Sequence, residues 1–338
     1  MADAPAERHV VWVGSYTADL GGTGVGVSRL VLERSAGTII DGTLFRCNSP
    51  AFVAAARAGG PGYAVEERTG LLRTLMVGSA GELECVDARF VGRQPCHVAI
   101  DPAGRFLVVS DWHAGGVTFV HLDEGGVPRM GGVVRFPGGG HGSRAHAALV
   151  LDDAMIVTTD PGLDRLRVWS VNDAGAVAAR GDVDLPTGCR PRHLTQDAQG
   201  RVHVLTEQSS EVLTLEPSRR HGLAVIASSP VRANPSPADS PSSITSTIVA
   251  GETILHAAVR GSNVLVSLRS NAQGALTIIG ETPTGGDEPR DHCLVGDRLF
   301  VANRRTNTVG VFDLKQGIPK HAFSIPAGTP ASVAAFIP

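Results

Sequence analysis

The sequence predicts an all-β fold, a seven-bladed β-propeller whose ring closes by pairing of the N- and C-terminal strands. Three observations lead there. The stretch PRDHCLVGDRLFVANRRTNTVGVFDL (Pro289 to Leu314) is a diverged copy of PCHVAIDPAGRFLVVSDWHAGGVTFVHL (Pro95 to Leu122); each opens on Pro and runs through three alternating segments. Similar openings fall near Pro50, Ala145, Pro191, Ser242 and Pro330, so successive starts lie 41 to 51 residues apart by subtraction of those positions. A period of this size built from short strands marks a propeller blade, which cannot bury both faces of its sheet alone and must stack on neighbours. The two ends of the chain supply the third observation. Val10 to Ser15 and Val25 to Leu32 lack a preceding innermost strand, and ASVAAF (Ala331 to Phe336) reads as one with nothing after it.

The elements follow in order. The first blade joins 331–337 to 8–46, with Ala18-Asp-Leu-Gly-Gly22 as a hairpin signal between its first two alternating runs. The remaining blades are expected at 50–91, 95–137, 145–186, 190–230, 242–283 and 289–327, and the single domain fills 1–338. Phe136 to Ser143 and Asn234 to Ser243 are the longest Gly/Pro/Ser-rich breaks, placed between blades where a loop can fold over one mouth of the channel. No segment carries a sustained helical period.

Composition narrows the function. Hydrophobic residues are 42% and charged ones 19%, enough for a large core, and with aromatics at 4% that core is aliphatic. Net charge is −3, and no Lys/Arg run is interleaved with aromatics, so no nucleic-acid role is expected. No apolar stretch approaches a membrane span and the start lacks a leader pattern, so a cytoplasmic protein, monomeric or weakly dimeric, is expected. The five cysteines (Cys47, Cys85, Cys96, Cys189, Cys293) are scattered, odd in number and without a C-x-x-C pair, and read as buried thiols.

Residues at blade starts and at the ends of inner strands face the axis. Four polar groups stand there: His146, Arg192, Glu207 and Arg260. Arg192 and Glu207 belong to one blade and fit neighbouring strands joined by the Asp197–Gly200 turn, so both can reach one mouth. An Arg forks onto carboxylate or phosphate oxygens, and a His beside a carboxylate can activate water, which suits hydrolysis of an activated ester. The same residues also fit a structural reading, with Arg192–Glu207 an ion pair plugging the channel and His146 a hydrogen-bonded core residue.

Across its length the chain resembles the lactonase family of seven-bladed propellers, which includes propeller-type 6-phosphogluconolactonases and fungal 3-carboxy-cis,cis-muconate lactonising enzymes. The residues that carry the resemblance are Val13-Gly-Ser-Tyr-Thr17 with Gly24-Val-Gly26, Ser49-Pro-Ala-Phe52 with Tyr63-Ala-Val-Glu66, and Gln94-Pro-Cys-His-Val98. It continues through Ala145-His146, Asp160 to Arg165, Arg190-Pro-Arg-His193, Glu207, Arg260-Gly261, Pro289-Arg290 and Val301-Ala-Asn303. The resemblance implies that His146, Arg192, Glu207 and Arg260 are the catalytic quartet. Three places depart from the pattern: Arg144 stands where the family has His, Ala258-Val259 where it has Ser-Asn, and Asp160-Pro-Gly-Leu where it has Asp-Leu-Gly.

Arg290, Arg144 and His193 are the further substrate-binding candidates. His97 and His193 follow Pro-containing blade starts in the same way and also read as buried, hydrogen-bonded strand residues. Tyr16 and Glu66 enter as channel-lining candidates through the resemblance alone. Gly138-Gly-Gly-His-Gly142 reads as a flexible loop, because no Lys-Ser/Thr follows it. For a metal, His141 and His146 need a third ligand from Glu207, and Asn303 is the remaining axial donor, so no cofactor is expected.

The resemblance thus implies a metal-free lactonase acting on a small anionic sugar lactone, with 6-phosphogluconolactone as the leading substrate. Either His146 or Glu207 can serve as base. A carboxymuconate lactonising isomerase and a non-catalytic propeller scaffold are the alternatives.

Overall fold

The computed structural model describes residues 8–336 except 34–38, 56–58, 152–154, 173 and 219–221. The leader reading of residues 1–7 and the expected blade end at residue 337 lie outside them. The described residues form seven four-stranded antiparallel sheets, the blades. Their innermost strands are Pro330–Phe336 (blade 1), Pro50–Ala55, Pro95–Ile100, Ala148–Val150, Pro191–Gln196, Ser240–Val249 and Pro289–Val295 (blade 7). Each innermost strand touches that of the next blade, and the seventh touches the first, so they ring a central axis.

Closure is made in blade 1. Arg8–Ser15 pairs with Gly26–Glu33 on one side and with Pro330–Phe336 on the other, in the register Val13↔Val333. The innermost strand of this blade thus comes from the far end of the chain, and Arg8–Ser15 is paired on both sides.

The core lies between blades. Alternating aliphatics of one sheet meet those of the next, as where Val157, Leu166 and Val168 of blade 4 pack on Val202, Val204 and Leu213 of blade 5. Each such side chain contributes roughly 1.5–3 kcal/mol by leaving water. The outermost strand Leu83–Phe90 alternates instead, because one of its faces meets solvent.

Some expectations are corrected. Blade 4 starts its regular innermost strand at Ala148 rather than Ala145, after an irregular stretch in which Thr159 meets both His146 and Ala147: its carbonyl accepts the His146 N–H, its N–H donates to the Ala147 carbonyl and its hydroxyl accepts the Ala147 N–H. Blade 6 begins at Ser240, before Ser242, since Ser240 already pairs with Arg260. The one helical element among the described residues is a 3₁₀ turn, Ala18–Leu20, inside the predicted hairpin connection. All five cysteines are free, but only Cys96 and Cys189 are fully buried. No helix among the described residues is long and apolar enough to cross a membrane.

Candidate active site

The inner strands share one device at their starts. In six of the seven, a Pro at or near the first position is followed by a residue that the pairing register skips: Ala51, Cys96, Arg192, Ser242, Arg290 and Ala331. Such a bulge leaves one residue outside the ladder and re-aims its side chain. The residue before the Pro has positive φ at Ser49, Arg190, Glu288 and Thr329, a conformation that non-glycine residues seldom adopt. What holds it is a backbone bond from the neighbouring strand end: Glu67, Glu207, Arg304 and Tyr16 donate their N–H groups to those four carbonyls at 2.9–3.2 Å. Bulged residue and strand-end residue are therefore fixed to each other, and both stand at the same mouth.

There they enclose a cavity of about 200 Å³. Around the ring its wall is Tyr16 from blade 1, Glu67 from blade 2, Gln94, Cys96 and Trp112 from blade 3, then His146 ahead of blade 4. Arg192 and Glu207 of blade 5, Arg260 of blade 6 and Arg290 of blade 7 complete it. The structure thus brings the quartet inferred from sequence into one cavity, together with Arg290. A larger cleft, about 480 Å³, opens among the turns of blades 2 and 3, but no Arg, Lys or His lines it.

The cavity is polarised. Arg260 donates through Nη2 to the Glu207 carboxylate and to Ser240 Oγ at 2.7 Å, and through Nε to the Ser240 carbonyl at 3.0 Å. Arg192 donates to the Ser242 carbonyl and lies 3.9 Å from Glu207. Burial acts to raise the Glu207 carboxyl, but the charges of Arg192 and Arg260 and the Arg260 hydrogen bond more than offset it and hold the group below its usual range. Glu207 is thus an ionised counter-charge. Burial, with Arg260 and Arg290 nearby, brings Arg192 down to about 9, still charged at neutral pH. Arg290 lies over the Tyr16 ring at 5.2 Å, and its buried Nε has no partner.

His146 stands edge-on to Trp112, ring centres 5.9 Å apart, and its buried Nδ1 has no partner. Burial pushes its pKa well below the ordinary value, and Arg192, His97, Arg290 and His193 push further. The imidazole is therefore neutral and free to accept a proton.

Other sequence candidates fall elsewhere. His193 does not line the cavity. The bulge at Arg192 turns it one layer down the channel, where it packs 5.6 Å from His97 and accepts the Ile244 N–H of the next blade at 3.4 Å. His97 accepts the Ala148 N–H in the same way at 3.3 Å, Asp291 that of Val333 at 3.1 Å, and Ser332 that of Val53 at 3.0 Å. This layer is a belt that ties each of these blades to the next. Arg144 folds onto the carbonyls of Ser143 and His113, outside the cavity. Glu66 is fully buried and paired with Arg73, and the cavity is lined by its neighbour Glu67 instead. Asn303 is buried, donating to the Thr284 carbonyl, and His141 is exposed. Glu67, Gln94, Cys96 and Trp112 are the wall residues that sequence reasoning missed. For Glu67, Cys96 and Trp112 the signal was the Pro at Pro50 and Pro95, read together with the end of the next strand.

The model of the family described as lactonase, 7-bladed beta-propeller, matches residues 10–334. The chain belongs to this lactonase family. Two relatives of the chain are named 6-phosphogluconolactonase: that of Bacillus subtilis, 22% identical over 90% of this chain and 91% of its own length, and that of Formosa agariphila, 26% identical over 69% and 71%. Among solved structures, the periplasmic gluconolactonase of Pseudomonas aeruginosa superposes with a TM-score of 0.85 at 19% identity, covering 98% of this chain and all of that one. At that identity the likeness speaks for the lactonase fold alone.

Proposed function

We propose that this protein is a lactonase that hydrolyses an anionic sugar lactone, with 6-phosphogluconolactone as its substrate. The observation that carries the reading is the convergence of Arg192, Arg260 and Arg290 with a neutral, unpartnered His146 in one cavity. The names of the Bacillus subtilis and Formosa agariphila relatives support the substrate.

In this mechanism the arginines bind the anionic group and the carbonyl oxygen, whose negative charge grows as water adds. His146 takes the proton of the attacking water. The new C–O bond forms at the carbonyl carbon, the C–O bond to the ring oxygen breaks, and the imidazolium returns the proton to that oxygen. Glu207, hydrogen-bonded to Arg260 and 3.9 Å from Arg192, holds the two guanidinium groups in place. An anionic substrate offsets the cations beside His146, while burial, the larger cause of its low pKa, remains. The five free thiols accord with a reducing, cytoplasmic setting.

The test is hydrolysis of 6-phosphogluconolactone in chelator, with the spontaneous rate subtracted. The reading predicts turnover well above the blank. No rate above the blank would reject it, and turnover of a carboxymuconate in its place would make the protein an isomerase.

A further inference from the structure

The cavity holds two carboxylates that the fold treats differently. Glu207 is bound by Arg260 and faces Arg192, so its charge is met by cations. Glu67, across the ring in blade 2, accepts among the described residues from two neutral donors, the Tyr16 hydroxyl at 2.9 Å and the Gln94 amide at 2.8 Å, while the charge of Arg290, which lies over the Tyr16 ring, acts on it without a hydrogen bond. These two bonds fix the plane of the carboxylate and use one position on each oxygen. An ionised carboxylate offers about four. Glu67 is half-buried on the cavity wall, so its remaining acceptor positions face whatever fills the cavity. One side of the site thus presents donors with positive charge, and the other presents acceptors.

We propose that Glu67, oriented by Tyr16 and Gln94, is the specificity-determining residue that receives hydroxyl groups of a polyhydroxylated ligand whose anionic group lies at Arg192, Arg260 and Arg290. This rests on the lactonase reading and adds to it the end of the substrate that the arginines do not hold. A hydroxyl donating to a carboxylate makes a charge-assisted bond, and a ligand without hydroxyls leaves that carboxylate desolvated and unpaired. The ligand class so selected is a sugar acid or its lactone.

The experiment is a calorimetric titration of the parent protein and Glu67→Gln with two probes, 6-phosphogluconate and inorganic phosphate. Glu67→Gln should weaken 6-phosphogluconate about tenfold or more, while phosphate binds as tightly as before or tighter, a negative charge having left the cavity. Equal weakening of both probes, unchanged binding of 6-phosphogluconate, or a parent that prefers phosphate alone would overturn the proposal. Tyr16→Phe, which removes one of the two orienting bonds, should shift 6-phosphogluconate in the same direction by a smaller factor and leave phosphate unchanged. It carries the test should Glu67→Gln fail to fold. Binding is read without turnover, so a parent that holds 6-phosphogluconate but does not hydrolyse its lactone removes the hydrolase reading and leaves this one intact.

Discussion

Blades 3 and 5 begin their innermost strands with the same three-part device and end with different chemistry. Pro95-Cys96-His97 and Pro191-Arg192-His193 both skip the middle residue in the register and both turn the third into the channel. The two histidines do the same work, each accepting an N–H from the blade that follows. The skipped residues do not: Cys96 donates weakly to nearby carbonyls, whereas Arg192 is a charged donor beside Glu207. The matching strand ends differ likewise, an indole at Trp112 and a carboxylate at Glu207. One layer of the inner strands therefore builds the ring, and the layer above it, freed from the ladder by the bulge, builds the site.

That division can be broken by experiment. The largest effect is expected at His146, which stands between the two blades. His146→Ala should lower kcat on 6-phosphogluconolactone by about 10²–10⁴ while the melting temperature stays near that of the parent; full activity would end the proposed role. In blade 5, Arg192→Lys should raise KM about tenfold, since an ammonium cannot replace the guanidinium fork, and steady-state kinetics would show it.

Acid should act on the buried histidines of the belt and beside it, where His292 of blade 7 meets the hydroxyls of Ser243 and Thr245 and His256 lies on the second strand of blade 6. Burial holds His97 and His292 at about 3 and His256 at about 4, against 6.5 when unfolded. As pH falls below 6.5 the unfolded chain takes up protons that the folded ring refuses, so stability falls with pH down to about 4. Asp291 opposes this: burial raises it to about 6, and it gains protons on folding in the same window. Three histidines outweigh one carboxyl. The melting temperature should drop by about 5 °C or more between pH 7.5 and pH 5, and a flat profile would contradict the neutral belt. The smallest effect belongs to blade 3, where Cys96→Ser should change kcat/KM less than about threefold. A loss there equal to that of Arg192→Lys would erase the distinction between the two blades.

The ring was legible because it rests on features of sequence that survive divergence: the period, the alternation within strands, and a half-blade at each end. His146, Arg192, Glu207 and Arg260 were also within reach, being charged or titratable groups at blade starts and strand ends. Parity at the mouth was not. Glu66 entered through the resemblance and His193 as a binding candidate beside Arg192, but the bulge shifts facing by one residue, so that Arg192 takes the mouth and His193 the layer below. At the other strand end it is Glu67 that reaches the cavity, while Glu66 turns between sheets to meet Arg73. A bulge does not alter hydrophobic pattern. Its only trace in the sequence is the Pro that recurs at Pro50, Pro95, Pro191, Pro241, Pro289 and Pro330. Tyr16 reached the wall through resemblance, and Gln94 had neither charge nor pattern to mark it.

The central claim is that the arginine-rich arc of blades 5 to 7 selects and activates an anionic lactone. Its most direct test is the ratio of kcat/KM for 6-phosphogluconolactone to that for uncharged glucono-δ-lactone, with spontaneous opening subtracted from each. Charge-assisted bonds to the arginines predict a preference of about 10- to 100-fold for the phosphorylated lactone, shrinking as salt is added. Equal values for the two lactones, unchanged by salt, would contradict the account.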